Sequence, residues 1–308
     1  MPKVSCSMPV YNAETYLREA LDNILDQSYE DFELIVCNDG STDGSAEILE
    51  KYAKRDSRVV VINRTENRGL IETRNEILRH VKGEYLALMD ADDMSLWDRF
   101  ERQVEFLDSH PEHVLVGSRI LLIDPDGHPM CALGIKESHE EIDTWHLEGH
   151  SGAAICNPTI MMRTEAVRAV GGYAEGTACA EDYDLFLRLA EVGKLATMPD
   201  VLLHYRQHLS SVGYRQNSQQ REAIRVAVET AYVRRHIVDP VRLHDELVPN
   251  RNAAYAYRQW VDWSLRGGNA ETARRYAWKA IGAAPWSPRA WRSFARAWAI
   301  RSGKKELI

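Results

Sequence analysis

Short apolar runs alternate with amphipathic stretches over the first ninety residues. "VSCSMPV" (Val4–Val10), "FELIVCNDG" (Phe32–Gly40), "RVVVIN" (Arg58–Asn63) and "EYLALMD" (Glu84–Asp90) predict buried strands. Between them, Ala13–Ser28 carries Leu17, Leu21, Ile24 and Leu25 at helical spacing. Ser45 begins a second helix as its N-cap, and "RGLIETRNEILRHV" (Arg68–Val81) predicts a third. This β-α-β-α-β-α-β order predicts an α/β fold with a mostly parallel central sheet. In such sheets ligands bind beyond the carboxyl ends of the strands. There the chain delivers "PVYNAE", "NDGSTDGS", "NRTENRG" and "DADD".

Further on, "SLWDRFERQVEFLDSH" predicts an amphipathic helix and "VLVGSRILLIDPDGHPM" a strand and hairpin about Asp126-Gly127. "PTIMMR" predicts a strand, "EDYDLFLRLAEVG" a helix stopped by Gly193, and "LATMPDVLLHYRQH" an extended segment. From about Tyr214 strand patterns vanish. Only helices are expected, with breaks near Gly267-Gly268 and Pro285. The last two stretches resemble one tetratricopeptide-like helix pair, short of the three repeats an array needs. The expected organisation is a domain over 1–213 and an all-α C-terminal appendage over 214–308.

Charge sharpens this division. Residues 1–214 hold 20 Lys and Arg against 38 Asp and Glu, whereas 215–308 hold 18 against 8. An acidic segment precedes a basic one, which suggests different tasks. No apolar run reaches the roughly 18 residues of a spanning helix, and the N-terminus lacks a signal-peptide pattern. A cytoplasmic protein is expected. The five cysteines are scattered without a C-x-x-C pair, which predicts reduced thiols and no zinc site.

The candidate chemistry lies in the polar strand ends. Asp90, Asp92 and Asp93 follow a buried strand. One or two of them could cap the next helix, but three carboxylates in four residues repel one another unless a cation intervenes. Mg²⁺ typically takes one or two carboxylates and fills its shell with water and phosphate oxygens. Asp39 ends the second strand within a Gly-rich turn. It either caps that turn or accepts an N–H from a nucleobase. No G-x-G-x-x-G or P-loop is present. Arg74 is either solvated or reaches a diphosphate. Glu181-Asp182 suits a helix N-terminus as well as catalysis. His208 is either structural or a ligand.

In order and at these separations, "SMPVYNAETYLREALDNILDQSYEDFELIVCNDGSTDGS", "NRGLIETRN", "GEYLALMDADD", "GGY" (Gly171–Tyr173), "EDYDLFLRL" and "YRQHLSS" resemble the family 2 glycosyltransferases. The resemblance covers roughly residues 2–210. It implies an inverting enzyme of the Rossmann-like GT-A fold that uses a nucleotide-sugar donor, UDP- or dTDP-sugar being favoured. It implies that Pro9, Tyr11 and Asp39 line the base and ribose pocket, with Asn67, Gly69, Arg74, Asp90 and Glu181 around the donor. Asp92 would bind Mn²⁺ or Mg²⁺, His208 would face the metal or diphosphate, and Asp182 would be the general base. Asn38 departs from the pattern, standing where the family often has an Asp. No Q-x-x-R-W motif or membrane helix is present, so transfer of a single sugar is expected, to a glycan or lipid-linked acceptor in surface polysaccharide synthesis. The rival reading is a non-catalytic sugar- or partner-binding module on the same fold.

Six of eight tryptophans lie in the basic tail. Either they pack as core on the preceding helix, the commoner arrangement, or the basic Trp-bearing helix lies in an anionic membrane interface on the inner face. No nucleic-acid motif accompanies the basic stripe. The sequence is compatible with a homo-oligomer and does not fix the oligomeric state.

Overall fold

A computed structural model describes residues 1–133, 136–150, 152–211, 217–238 and 252–299. It divides into two compact units. The first comprises Met1–Arg119, Ile135–Leu203 and Gln219–Glu246. The second comprises Ile120–Gly134, His204–Ser218 and Leu247–Ile308.

In the first unit the strands β1 (Val4–Val10), β2 (Phe32–Asp39), β3 (Val59–Arg64) and β4 (Tyr85–Leu88) are joined by helices α1 (Leu17–Leu25), α2 (Ser45–Arg55) and α3 (Leu70–His80). β1 pairs in parallel with both β2 and β4, and β2 with β3. β1 and β2 are buried almost throughout, as helix-covered parallel strands must be. After β4 come β5 (Met94–Ser95), α4 (Arg99–Ser109), β6 (His113–Ile123), β7 (Pro129–Leu133), α5 (His139–Leu147), β8 (Met161–Arg163), α6 (Thr164–Ala169), α7 (Glu181–Leu189), β9 (Lys194–Arg206) and α8 (Asn217–Arg234). β8 runs antiparallel to β4 and β6, so the sheet is parallel in its first half and mixed beyond. Its order is β3-β2-β1-β4-β8-β6-β9-β5.

Two helices start later than their apolar spacing suggests. α1 begins at Leu17 because the N–H groups of residues 12–14 are donated to side chains of the 41–45 loop. α4 begins at Arg99 because Met94–Ser95 forms a strand and the Leu96 N–H bonds Leu202 O. α5 was not anticipated, although Ser138 and Glu141 form a capping box that the sequence displays. α8 packs on α7 within the first unit: Ile224, Ala227, Val228 and Ala231 bury against Ala180, Tyr183 and Leu187.

In the second unit β7 pairs with the end of β6 around the Asp124–His128 turn. Among the described residues it also holds α9 (Ala253–Arg266), α10 (Ala270–Ala283) and α11 (Pro288–Ala299), with the expected breaks at Gly267-Gly268 and Pro285. Trp260 is buried edge-on to Tyr276. No two of the five cysteines form a disulfide. No helix among the described residues is long and apolar enough to cross a membrane.

Candidate active site

The strand ends of the first unit gather the predicted residues on three loops. Beyond β1, Pro9 is half-buried and Tyr11 exposed. Asn12 adopts a left-handed φ of 50°, which Asn tolerates better than most residues. Its Oδ1 accepts the Thr42 N–H at 2.8 Å, while its own N–H donates to Ser41 Oγ at 3.0 Å. The Glu14 N–H donates to Asp43 Oδ2, and the Gly44 N–H to Glu14 Oε2, both at 3.0 Å. Reciprocal bonds thus stitch the first loop to the second.

Asp39 is buried at the end of β2. Its Oδ1 accepts the Arg68 N–H at 3.0 Å and the Arg64 guanidinium at 3.2 Å, and its Oδ2 accepts the Gly69 N–H at 2.9 Å. Asn67 Oδ1 also accepts the Gly69 N–H, at 3.0 Å. The carboxylate therefore shapes the 67–69 turn and keeps roughly one of its four lone-pair positions open. Gly40 lets this turn approach: its φ is 70°, and a Cβ there would lie 2.6 Å from Glu66 C and 2.7 Å from Asn67 N. Gly40→Ala is expected to cost about 2–4 kcal/mol through backbone strain and displacement of the turn. Urea unfolding measures it, and an unchanged midpoint would contradict the close approach.

Past β4 lies the acidic loop. Asp93 is buried, and Asp90 and Asp92 are partly so. Arg74, 5% exposed, spans two loops. Its Nη1 donates to Glu181 Oε1 at 3.3 Å, and its Nη2 lies 3.8 Å from Asp90 Oδ1. The guanidinium sits over the Tyr173 ring at 5.3 Å. The residue expected to reach a diphosphate is thus engaged by two carboxylates. Burial, then repulsion from Asp92 and Glu181, raises the Asp90 carboxyl to about 6 against the pull of Arg74.

Asp182 occupies the first turn of α7, where its Oδ1 accepts the Tyr183 N–H at 2.7 Å. Burial and then Glu181 raise its carboxyl to about 6, with Arg74 opposing. Its helix is fixed from several sides. Tyr183 Oη donates to His146 O at 2.8 Å. Asn75 clasps the preceding segment, donating to Tyr173 O at 2.8 Å and accepting the Tyr173 N–H at 3.0 Å. Gly171 and Gly172 make that turn at positive φ.

Sequence reasoning missed Arg99, which is fully buried behind the acidic loop. Its Nη2 donates to Leu88 O at 2.7 Å and to Ile160 O at 3.3 Å, and its Nε to Gln103 Oε1 at 3.0 Å. Burial lowers its pKa to about 10, so it remains charged at pH 7. No sequence signal marks it: an Arg in the first turn of an amphipathic helix looks solvated.

Asp90, Glu181 and Asp182 thus lie around the buried Arg74, Asp90 and Asp93 lie near the buried Arg99, and Asp92 lies beside Asp90. Carboxylate oxygens are the ligand type that a hard divalent cation takes.

His208 lies in the second unit, where its Nδ1 contacts Ser210 Oγ at 2.5 Å and its N–H donates to Ser211 Oγ at 3.4 Å. The same unit holds the acid–histidine group among the described residues whose ligand atoms fall within 4.8 Å, namely Asp124, Asp126 and His128. Arg275 already reaches into it, 3.3 Å from Asp124 Oδ2 and 2.7 Å from His128 Nδ1, and Tyr276 Oη donates to Asp124 Oδ2 at 3.0 Å. The guanidinium supplies positive charge where a cation otherwise would.

Residues 5–171 match the family model described as glycosyl transferase family 2. Over 195 residues the chain is 40% identical to the putative glycosyltransferase EpsE of Bacillus subtilis, covering 62% of this chain and 68% of that protein. Among solved structures it is similar to the mannosyltransferase PcManGT of Pyrobaculum calidifontis in complex with GDP-Man and Mn²⁺, at 20% identity and a TM-score of 0.57, covering 98% of this chain and 76% of that one. It is likewise similar to S. aureus TarS 1–349 in complex with UDP, at 18% identity and a TM-score of 0.58, covering 96% and 80%. At these identities the structural likenesses establish the GT-A-type fold alone.

Proposed function

The chain belongs to glycosyl transferase family 2, and from that premise we propose an inverting, metal-dependent transfer of one sugar from a nucleoside diphosphate to an acceptor hydroxyl, in surface polysaccharide synthesis. The carrying observation is the acid cluster braced by Arg74, in which Asp182 is raised to about 6. A carboxylate with a pKa near the working pH suits a general base.

Asp182 takes the proton of the acceptor hydroxyl as that oxygen attacks the anomeric carbon. The bond from that carbon to the diphosphate breaks on the opposite side, the nucleoside diphosphate leaves with its electron pair, and the sugar is joined to the acceptor oxygen with inverted configuration. Asp92, with Asp90 beside it, would hold a divalent cation, which supplies Lewis-acid charge for the departing diphosphate. Arg74 holds Asp90 and Glu181 in place. Pro9, Tyr11, Asn67 and Gly69 frame the nucleotide. Asp39 keeps one acceptor position, which matches the single N3–H of uracil or thymine better than the two donors on guanine's edge. Mn²⁺ beside a GDP-sugar in the Pyrobaculum structure and UDP in TarS support a metal-assisted nucleoside-diphosphate donor without choosing the base.

Calorimetric titration with UDP, dTDP and GDP, each with and without Mn²⁺, tests the reading. UDP or dTDP is expected to bind tightest and only with metal. Asp92→Ala is expected to abolish this metal-dependent binding. Absence of nucleotide binding in every condition would leave the binding-module alternative in its place.

A further inference from the structure

Helix α11 buries its small face and exposes its aromatic one. Ala290, Ser293 and Ala297 are buried. Trp291, Phe294 and Trp298, one position further on at the same spacing, form the neighbouring stripe, and Trp291 and Trp298 are 50% and 44% exposed. Trp278 of α10, 57% exposed, joins them, its ring 4.7 Å from that of Phe294 and 6.0 Å from that of Trp298. Phe294 stacks on Trp298 at 4.2 Å and meets Trp291 at 5.9 Å. Four rings therefore make one continuous surface. Scattered exposed apolar residues need no explanation, but a contiguous patch marks an interaction site. Trp286, in the turn between the helices, is 94% exposed, and that turn is fixed by Trp291 Nε1 donating to Pro285 O at 2.8 Å.

The charge around the patch has one sign. No Asp or Glu occurs between Thr272 and Lys305. Lys279, Arg289 and Arg292 are exposed, and among the described residues no ion pair engages them. Arg296 is paired, with Asp262 at 2.5 Å.

We propose that this face of α10 and α11 docks on an anionic lipid surface. Indole rings settle at the headgroup boundary, where an apolar body and a polar N–H are both accommodated. Lys279, Arg289 and Arg292 meet the lipid phosphates. A second copy fits less well, because a two-fold contact through the patch brings like charges together. The proposal is independent of the transferase reading, since vesicle binding needs no donor or metal.

The full chain is sedimented with phosphatidylcholine vesicles and with vesicles also containing phosphatidylglycerol. Binding is expected only to the second, with a blue-shifted tryptophan emission, and should weaken as salt rises. Arg289→Gln with Arg292→Gln is expected to weaken it about 25-fold, at roughly fivefold per cation. Trp291→Ser with Trp298→Ser is expected to abolish it. All four side chains are exposed, and unchanged circular dichroism melting shows that the variants fold. The proposal is overturned if the wild type stays in the supernatant, or if the arginine variant binds as the wild type does. Light scattering that shows dimers through this face, without vesicle binding, would also overturn it.

Discussion

Asp182→Asn is expected to lower kcat by about 10²–10⁴-fold, the usual contribution of a positioned base, and at the same time to make the protein more stable at pH 7.5. The two effects share one cause. In the fold the Asp182 carboxyl is raised from 3.8 to about 6 by burial and by Glu181. A carboxyl raised on folding contributes stability that is fully present below its unfolded pKa and lost as pH rises through its folded one. Above about pH 6 the native protein therefore carries an ionised group that its surroundings disfavour. Asn keeps the shape and can still accept the Tyr183 N–H but carries no charge. At about 1.4 kcal/mol per pKa unit, and allowing for solvent screening, the gain is about 1–3 kcal/mol. It should be visible in urea unfolding at pH 7.5 and should vanish below about pH 4. In the wild type, kcat/KM should fall tenfold per pH unit below about 6. The Asp90 carboxyl is raised to about 6 as well, so that limb belongs to the pair rather than to Asp182 alone. A variant that is inactive but no more stable would break the link between burial and basicity.

Arg99→Met should do the opposite to stability. Met approximates the stem of arginine and removes its charge and donors. Leu88 O, Ile160 O and Gln103 Oε1 each lose a buried donor. Each such loss costs about 1–3 kcal/mol, less whatever rearrangement recovers, so a total of about 3–5 kcal/mol is expected. The substitution also takes a positive charge from behind Asp90. The Asp90 carboxyl should then rise further, and metal-dependent nucleotide binding should require a higher pH. Arg99→Lys restores the charge without the fork, so it should recover the pH profile better than the stability. A loss below about 1 kcal/mol in Arg99→Met would mean that the buried guanidinium is dispensable.

The parallel half of the fold was legible because its strands are buried on both faces and separated by amphipathic helices, so that Val4–Val10 and Phe32–Asp39 announce themselves by composition. The candidate carboxylates stand out in the sequence too, since Asp39, Asp90, Asp92 and Asp182 all sit at or near the end of an element. How those charges are balanced was hidden. Arg64 meets Asp39 across 25 residues, and Arg74 meets Glu181 across 107. Nothing in local spacing tells which arginine is buried with which acid. The tail was misleading in another way. Tryptophan at helical spacing ordinarily means core, and Trp260 obeys, but α11 puts alanine and serine inside and leaves its indoles out. Only packing decides which stripe of a helix faces inward when both are compatible with burial.

The long reach of Arg74 also orders events during synthesis. Asp90 lies 16 residues past Arg74, whereas Glu181 lies 107 past it. Chains emerge from the ribosome at about 5–20 residues per second and fold from the N-terminus. For several seconds, therefore, the first four strands and the loops at their ends can assemble without α7. The Arg74–Asp90 contact waits open on one side until α7 arrives with Glu181 and Asp182. If Asp182 is the base proposed above, a product ending before α7 lacks it and transfers nothing.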